Sequence, residues 1–180
     1  MRSPARVALC AAALALTGAG DAAADPPNGG APAPAPNPSV AAPVARASLA
    51  ADGRTALAPA AAPPAVQAAI AAANRINRKP YRYGGGHARF RDSAYDCSGT
   101  VSYVLHAAGY LRRPRASGDL MRFGRRGRGQ WITVYANGGH AYMVIAGLRF
   151  DTSGPGPSGP RWRAQERSSR GYVARHPAGL

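Results

Sequence analysis

Cysteine is scarce in this chain, and its scarcity excludes two kinds of protein. The 180 residues include two cysteines and four histidines. We expect Cys10 to be removed with a signal peptide, which leaves Cys97 as the single thiol of the mature chain and excludes an internal disulfide. One cysteine with dispersed histidines forms no ligand set for a metal ion. The sequence therefore predicts no disulfide framework, no metal and no cofactor.

Long apolar runs are also lacking. A short one, residues 7–16, follows Arg2 and Arg6 and precedes the alanines at 22–24, which is the pattern of a secretory signal peptide and its cleavage site. A bilayer needs about 20 apolar residues, so this run is too short to span one. We predict a signal peptide at residues 1–24, no transmembrane segment in the mature chain, and a protein that is secreted, periplasmic or associated with the cell wall.

Acidic residues are few, and the chain is strongly basic. Eight aspartates and glutamates stand against 23 lysines and arginines, a formal charge of +15. Such a surface favours polyanions, which for an exported protein are anionic wall polymers, peptidoglycan carboxylates or anionic lipid. The Arg-rich loop at residues 112–128 is the candidate contact for wall polymer, and we expect no nucleic-acid partner. A general bias towards arginine and a solvated loop are the alternative explanation.

The order of segments predicts one folded domain behind a linker. Residues 25–64 are rich in Pro and Ala with hardly a large apolar side chain, which is typical of a disordered, extended linker. Pro64 opens a helix with an apolar stripe that ends near Asn77, and the domain is predicted at residues 65–180. Strands are predicted at residues 131–135, 140–146, 148–152 and 171–175. Two helices followed by three or four strands predict an α+β domain.

Cys97 has the setting of a reactive nucleophile. It lies on the first turn of a predicted helix that Gly109 ends. The apolar face of that helix is formed by Val101, Val104, Leu105 and Ala108. At a helix start, unpaired N–H groups and the helix dipole favour the thiolate. An inert buried cysteine is the alternative, but Cys97 stands outside the apolar stripe.

A thiolate nucleophile needs a base, and His140 is the histidine best placed to serve as one. It opens a predicted strand directly after two glycines, whose small size leaves a cleft open. His106 lies along the Cys97 helix, roughly 13 Å away in rise. His87 lies in a loop and His176 close to the C-terminus.

The third member of the site depends on strand register. If the chain turns tightly at residues 146–147, Tyr142 pairs with Asp151 and His140 lies one diagonal step away on the same face. Asp151 would then orient the imidazole. A register shifted by one residue puts Thr152 there instead, so both residues stay candidates.

Four motifs, in this order, carry a family resemblance. They are Pro-Tyr-Arg-Tyr-Gly-Gly at 80–85, Asp-Cys-Ser-Gly at 96–99, Gly-His at 139–140 and Phe-Asp-Thr-Ser at 150–153. The region of about residues 65–153 resembles the NlpC family of papain-like cell-wall cysteine peptidases. The resemblance implies a papain-like fold in which N-terminal helices, including the nucleophile helix, pack on a central antiparallel sheet. It also implies hydrolysis of peptidoglycan stem peptides, typically between D-glutamate and the following diamino acid.

The same resemblance implies roles for individual residues. Cys97 would be the nucleophile, His140 the base and Asp151 the third residue, while Tyr81 would bind the oxyanion beside the Cys97 backbone N–H. Substrate contacts are predicted for residues flanking the nucleophile and in the C-terminal tail: Asp96, Ser98, Arg161, Trp162 and Arg163. The tail arginines would bind stem-peptide carboxylates with the tryptophan as an apolar wall. Surface arginines beside a packed tryptophan are the alternative.

Two departures from the family pattern and two other functions stay open. The usual Pro-Gly-Asp-Leu is present only as Ser-Gly-Asp-Leu at 117–120, and an arginine-rich insertion separates it from His140. One alternative function is a noncatalytic module that binds cell wall or polyanions. Another is an amidase or acyl transferase built on the same papain-like core.

Overall fold

The computed structural model describes residues 45–180. The predicted signal peptide, and the linker as far as residue 44, lie outside the described residues. The helices are α1 (Pro64–Ile76), α2 (Cys97–Ala107) and α3 (Ser117–Leu120), and the strands are β1 (Ser48–Leu49), β2 (Ala56–Leu57), β3 (Arg125–Arg126), β4 (Ile132–Ala136), β5 (Ala141–Ile145), β6 (Leu148–Asp151), β7 (Arg161–Arg163) and β8 (Val173–His176). Within residues 45–180, no helix is long and apolar enough to cross a membrane.

Helices and an antiparallel sheet share one apolar core. Six strands form the sheet in the order β3-β8-β4-β5-β6-β7, and every neighbouring pair is antiparallel. Helices α1 and α2 pack on each other and against β5. The core lies between α1, α2 and the sheet, and its buried side chains include Val66, Ile70, Val104, Met143 and Phe150. The predicted α+β class, with helices against an antiparallel sheet, is confirmed at this level.

Both predicted helices form because their apolar residues repeat at helical spacing. In α1, Pro64 occupies the first turn, where its missing N–H costs nothing, and Val66, Ala69, Ile70 and Ala73 are buried. Each fully buried Val or Ile of this kind contributes about 1.5 to 3 kcal/mol.

The described part of the predicted linker is attached to the folded domain. Strands β1 and β2 pair with each other, and Ala56 and Ala62 are buried in the core. The Asn74 side chain on α1 hydrogen-bonds both the N–H and the C=O of Ala56 at 3.0 and 2.9 Å. Ala47 N–H donates to the Ala146 carbonyl at 2.8 Å. The alanine-rich sequence gives no sign of this attachment, because the contacts are made by backbone groups and small side chains.

The sheet has two strands that the sequence did not predict. Strand β7 alternates Arg161, Trp162 and Arg163, with the tryptophan against Phe150 in the core. Strand β3 is a pair of exposed arginines on the sheet edge beside β8. Arginine-rich segments are not predicted as strands from their composition. These two strands form because β7 pairs with β6 and β3 pairs with β8.

The hairpin between β5 and β6 has the predicted register. Ala146 and Gly147 turn the chain with φ values of 46° and 79°, the positive values that a two-residue type I′ turn requires. Met143 pairs with Phe150 and Ile145 with Leu148, and the same register continues to Tyr142 opposite Asp151. This register fixes which side chains of β6 share a face with His140.

Two glycines allow the turn at 84–86 to touch the start of α2. A Cβ on Gly99 would lie 2.0 Å from the Gly85 carbonyl oxygen, and a Cβ on Gly85 would lie 2.5 Å from the Ala94 oxygen. The Gly85 carbonyl also accepts from Asp96 N–H at 3.1 Å. The turn therefore packs backbone against backbone and sets where α2 begins.

Substituting Gly99 by alanine should disturb this contact. The added methyl meets a main-chain oxygen that cannot move aside, so Gly99→Ala should destabilise the domain by about 3 kcal/mol and lower Tm by about 6 to 12 °C. Gly118→Ala in α3 is the matched control, since nothing lies within 4 Å of its added Cβ. Thermal unfolding followed by circular dichroism measures both, and equal Tm values for the two variants would contradict the prediction.

Candidate active site

Asp96 fixes the start of the nucleophile helix. As the N-cap of α2 it accepts from Gly99 N–H at 2.7 Å through Oδ1, and its Oδ2 accepts from Gly84 N–H at 3.0 Å. Ser98 Oγ donates to Oδ1 at 3.2 Å. One carboxylate thus joins the glycine turn to the helix and holds Cys97 at its first position. Asp96 and Ser98, predicted to contact substrate, are 5% exposed and bonded to each other.

His87 is a neighbour of this cap that sequence reasoning missed. Its Nε2 lies 3.0 Å from Asp96 Oδ1 and 3.1 Å from Ser98 Oγ. The sequence predicts only a loop at His87, although this residue directly follows the glycine turn that packs on α2. That adjacency in sequence is the signal that could have placed His87 beside the nucleophile.

Cys97 is 8% exposed and is the free cysteine of the described residues. Burial raises the pKa of the thiol, but a hydrogen bond with His140, another from the Ala141 N–H and the attraction of the imidazolium outweigh burial. The pKa of Cys97 therefore lies below its ordinary value. Its position at the helix start adds to the same effect.

His140 is held by its own turn and by a buried acid. Asn137 Oδ1 accepts from the His140 N–H at 2.8 Å, and the Asn137 N–H donates to the His140 carbonyl at 2.9 Å. The ring Nε2 lies 2.9 Å from Asp151 Oδ1. Burial lowers the pKa of His140, but the hydrogen bonds and charges of Asp151 and Cys97 raise it to about 9.

Asp151 sits behind the imidazole with its side chain fully buried. Its Oδ1 also accepts from Ser153 N–H at 2.9 Å, and its Oδ2 accepts from Arg167 Nη1 at 3.0 Å. Burial raises the pKa of this carboxyl, but hydrogen bonds from His140, Ser153 and Arg167 lower it to about 2. The structure places Asp151, and not Thr152, against His140.

Arg167 extends the site by one residue and was not predicted. It contacts Asp151 and Ser153, donates to Tyr172 Oη at 2.8 Å, and lies over the Tyr142 ring at 5.2 Å. In an arginine-rich tail no sequence signal separates this arginine from its neighbours. Only the path of the chain after β7 brings it to Asp151.

Together these groups form a connected series from thiol to arginine. The interaction lowers the pKa of the Cys97 thiol and raises the pKa of the His140 imidazole, so it favours the thiolate and imidazolium form of the pair. The ionised Asp151 balances that imidazolium. Such an arrangement can supply both a nucleophile and a proton for a leaving group.

Tyr81 is electrostatically coupled to the same thiol. The residue is 41% exposed, and its backbone forms a bridge with Tyr95 at the base of the glycine turn. Burial raises the pKa of Tyr81, and the negative charges of Cys97 and Asp96 raise it further. The phenol therefore keeps its proton and can donate a hydrogen bond near the nucleophile.

The three predicted tail residues have other contacts. Arg161 Nη1 donates to the carbonyls of Asn77 and Lys79 at 2.8 and 3.0 Å. Trp162 is 6% exposed, packs on Phe150 and donates to Asn74, so it is a core residue and not a wall of a cleft. Arg163 Nη1 donates to the Pro155 carbonyl. Strand β7 thus places the tryptophan in the core, while each of the two arginines donates to neighbouring backbone carbonyls.

The remaining histidines are structural. His106 stacks on Phe90 at 3.8 Å and bonds the Leu111 carbonyl, and His176 bonds the Gly127 carbonyl. Among residues 45–180, no group of three or more His, Cys, Asp or Glu side chains is placed to hold a metal ion.

Comparison with known proteins finds similar solved structures. No family model and no curated protein matches the chain. Rv1477, a hypothetical invasion protein of Mycobacterium tuberculosis, matches at 24% identity over 62% of this chain and 61% of its own, with a TM-score of 0.46. The P60 domain of antigen MAP1204 from M. avium subspecies paratuberculosis matches at 24% identity over 62% of this chain and 93% of its own, with a TM-score of 0.48.

A third similar structure is a mutated form of the resuscitation promoting factor interacting protein RipA. It matches at 24% identity over 62% of each chain, with a TM-score of 0.46. This chain thus spans about three fifths of the length of two of the three.

Cys97 should react as a thiolate at pH values where an ordinary thiol is protonated. In the wild type, the rate of alkylation by iodoacetamide should reach half its plateau below pH ~8.5, the pKa of free cysteine. In His140→Gln the midpoint should rise, because burial of the thiol remains while the imidazolium is lost. His106→Gln is the matched control and should keep the wild-type midpoint. Equal midpoints for wild type and His140→Gln would contradict the ion pair.

The charge of Asp151 should set the titration of His140. The imidazolium is present below its pKa of about 9 and is lost as pH rises through that value. Asp151→Asn removes the negative charge that raises the pKa of His140, while the burial that lowers this pKa remains. The titration midpoint of His140 should therefore fall by about one to three pH units. Nuclear magnetic resonance of the His140 ring measures it, with Asp119→Asn at an exposed carboxylate as control. A midpoint that stays near 9 in Asp151→Asn would rule out this dependence.

Proposed function

We propose that this protein is a cysteine peptidase of the NlpC type that hydrolyses peptidoglycan stem peptides. The observation that carries the proposal is the connected series of Cys97, His140 and Asp151. A thiol at a helix start, an imidazole beside it and a buried carboxylate behind the imidazole are the parts that thiol acyl transfer needs. The papain-like description of the fold belongs to the same proposal.

The reaction starts from the ion pair. The Cys97 thiolate attacks the peptide carbonyl carbon, and the electron pair of the C=O bond moves to oxygen. Collapse of this intermediate expels the amine, which takes its proton from the His140 imidazolium. His140 then removes a proton from water, which attacks the thioester. The acid product leaves, and the thiolate and imidazolium are restored.

Two donors support the developing oxyanion. The Cys97 backbone N–H is at the first position of α2, where helix N–H groups have no intrahelical acceptor. The second donor is the protonated phenol of Tyr81, whose pKa is raised in part by the negative charge of Cys97. A donor already in place at such a position contributes about 3 to 4 kcal/mol to transition-state stabilisation.

The substrate and the location follow from the sequence motifs. We propose cleavage of the bond between D-glutamate and the diamino acid, the bond typical of the family that the motifs resemble. The predicted signal peptide supports export, and the loop at 112–128 supports contact with anionic wall polymer. Asp96, Ser98 and His87 would then support the nucleophile helix from behind, since the first two are buried and all three are hydrogen-bonded to one another.

A purely binding module would not need this arrangement. Burying an ion pair beside an ionised carboxylate carries a desolvation cost of several kcal/mol per ion before the pairing energy offsets it. Packed apolar residues would stabilise a binding domain more simply. The series of charges therefore favours catalysis over the noncatalytic alternative.

Cys97→Ala should abolish release of peptides from purified sacculi. The side chain that attacks the carbonyl is lost, so muropeptide release should fall by at least about a thousandfold. His106→Gln, on the same helix but facing Phe90 and the Leu111 carbonyl, is the control and should release muropeptides at the wild-type rate. Equal release by wild type and Cys97→Ala would overturn the proposal.

Mass spectrometry of the released products separates peptidase from amidase. A new amino terminus on the diamino acid identifies the proposed bond. Free stem peptides with an alanine amino terminus would identify an amidase, and joined peptides would identify an acyl transferase.

A further inference from the structure

The face of the sheet that carries Asp151 also borders an arginine-rich cavity of about 460 Å³. Six arginines line it: Arg46, Arg128, Arg149, Arg163, Arg167 and Arg170. Tyr135 and Tyr142 form its aromatic floor, and Glu166 is its one acidic lining residue. Neither Cys97 nor Asp151 lines this cavity, but Arg149 and Arg167 line it and both lie near the second oxygen of Asp151. We call it the arginine cavity.

Two of these arginines are buried without adequate partners. Arg149 on β6 and Arg163 on β7 are directly opposite each other, and they are 8% and 9% exposed. Within residues 45–180, Arg149 Nε and Arg163 Nε and Nη2 have no hydrogen-bond partner. Buried guanidinium groups are normally paired, because an unpaired buried charge is expensive.

Local acids do not balance the charge. Asp151 Oδ2 is 3.0 Å from Arg167 Nη1 and 3.8 Å from Arg149 Nε, so one carboxylate faces two arginines while also serving His140. Glu166 forms no ion pair with any described residue. Arg149, Arg163 and Arg167 therefore carry a surplus of positive charge into the cavity.

The two buried guanidinium groups meet over a glycine. Beside Gly154, at the place that a Cβ would occupy, Arg163 Nε lies at 3.2 Å and Arg149 Nη2 at 3.4 Å. Burial lowers the pKa of Arg163, and the nearby charge of Arg149 lowers it further, against the opposing effect of Asp151. Like charges brought this close need an anion between or beside them.

We propose that the arginine cavity binds a phosphate group. Guanidinium groups present paired N–H donors that match phosphate oxygens in a bidentate manner. Several arginines against one glutamate favour a group with more than one negative charge over a single carboxylate. The walls on β6 and β7 are strands, so the donors are held in place before the anion binds. This proposal does not depend on the peptidase function.

The test uses the full chain and inorganic phosphate as the probe. The side-chain Nε–H signals of Arg149 and Arg163 should move saturably in nuclear magnetic resonance titrations, while those of Arg112 and Arg113 should not. Tm should also rise saturably with phosphate, because a ligand that binds the folded state stabilises it. Sodium acetate at matched ionic strength should produce neither effect. Shifts that are absent, or equal with acetate and phosphate, would overturn the proposal.

A pair of double variants separates this cavity from general surface charge. Arg149→Gln with Arg163→Gln should bind phosphate at least about tenfold more weakly than the wild type. Arg112→Gln with Arg113→Gln removes the same charge from exposed positions and should keep the wild-type affinity. Equal weakening in both variants would identify nonspecific binding and reject the cavity. The wild-type titration decides the matter alone if the first variant fails to fold.

The source of the phosphate is settled by two further probes. Glycerol phosphate tests a free monoester, and a poly(glycerol phosphate) chain tests the phosphodiester of a wall polymer. Displacement of bound inorganic phosphate by either probe supports the proposal and identifies its source. The opposite result is a polymer that binds without displacing inorganic phosphate and loses this binding in the Arg112 and Arg113 variant. That result would show that the polymer binds the loop and is not a ligand of the cavity.

Discussion

The buried carboxylate of Asp151 is the group on which most of the charged architecture depends. It accepts from His140 through one oxygen and from Arg167 through the other, with its side chain out of contact with solvent. Because it is ionised, it can hold an imidazolium on one side and face arginines on the other. Removing its charge would leave several buried cations unbalanced at once. The candidate nucleophile and the arginine cavity are thus linked by one negative group.

The second requirement is a helix start placed against that group. Asp96 caps α2, and the absence of side chains at Gly85 and Gly99 lets the preceding turn pack directly on the first helical residues. His140 belongs to the sheet side of the site, because it directly precedes β5. The site therefore depends on two turns, one before α2 and one before β5. Each turn is held by an Asp or Asn side chain bonded to backbone N–H groups.

How far the sequence could predict each part differs between residues. Helix α1 and the hairpin of β5 and β6 were predictable, because their apolar periodicity and turn residues are local signals. Strand β7 and the segment at 45–64 were not, since backbone pairing rather than composition attaches them. His87 and Arg167 were missed for a related reason. Their partners, Asp96 and Asp151, are brought to them by packing that no short-range pattern records.

The amino-acid sequence by itself determined the helix that carries Cys97, the strand that His140 opens, and the turn that sets Asp151 opposite Tyr142. Each of these depends on residues a few positions apart. Only the tertiary structure decided that Asp151 faces His140, that Arg167 lies behind it, that Trp162 belongs to the core and that Arg149 meets Arg163. Those contacts join residues from separate strands and the C-terminal tail, and their energy comes from burial and charge that exist only once the sheet is assembled.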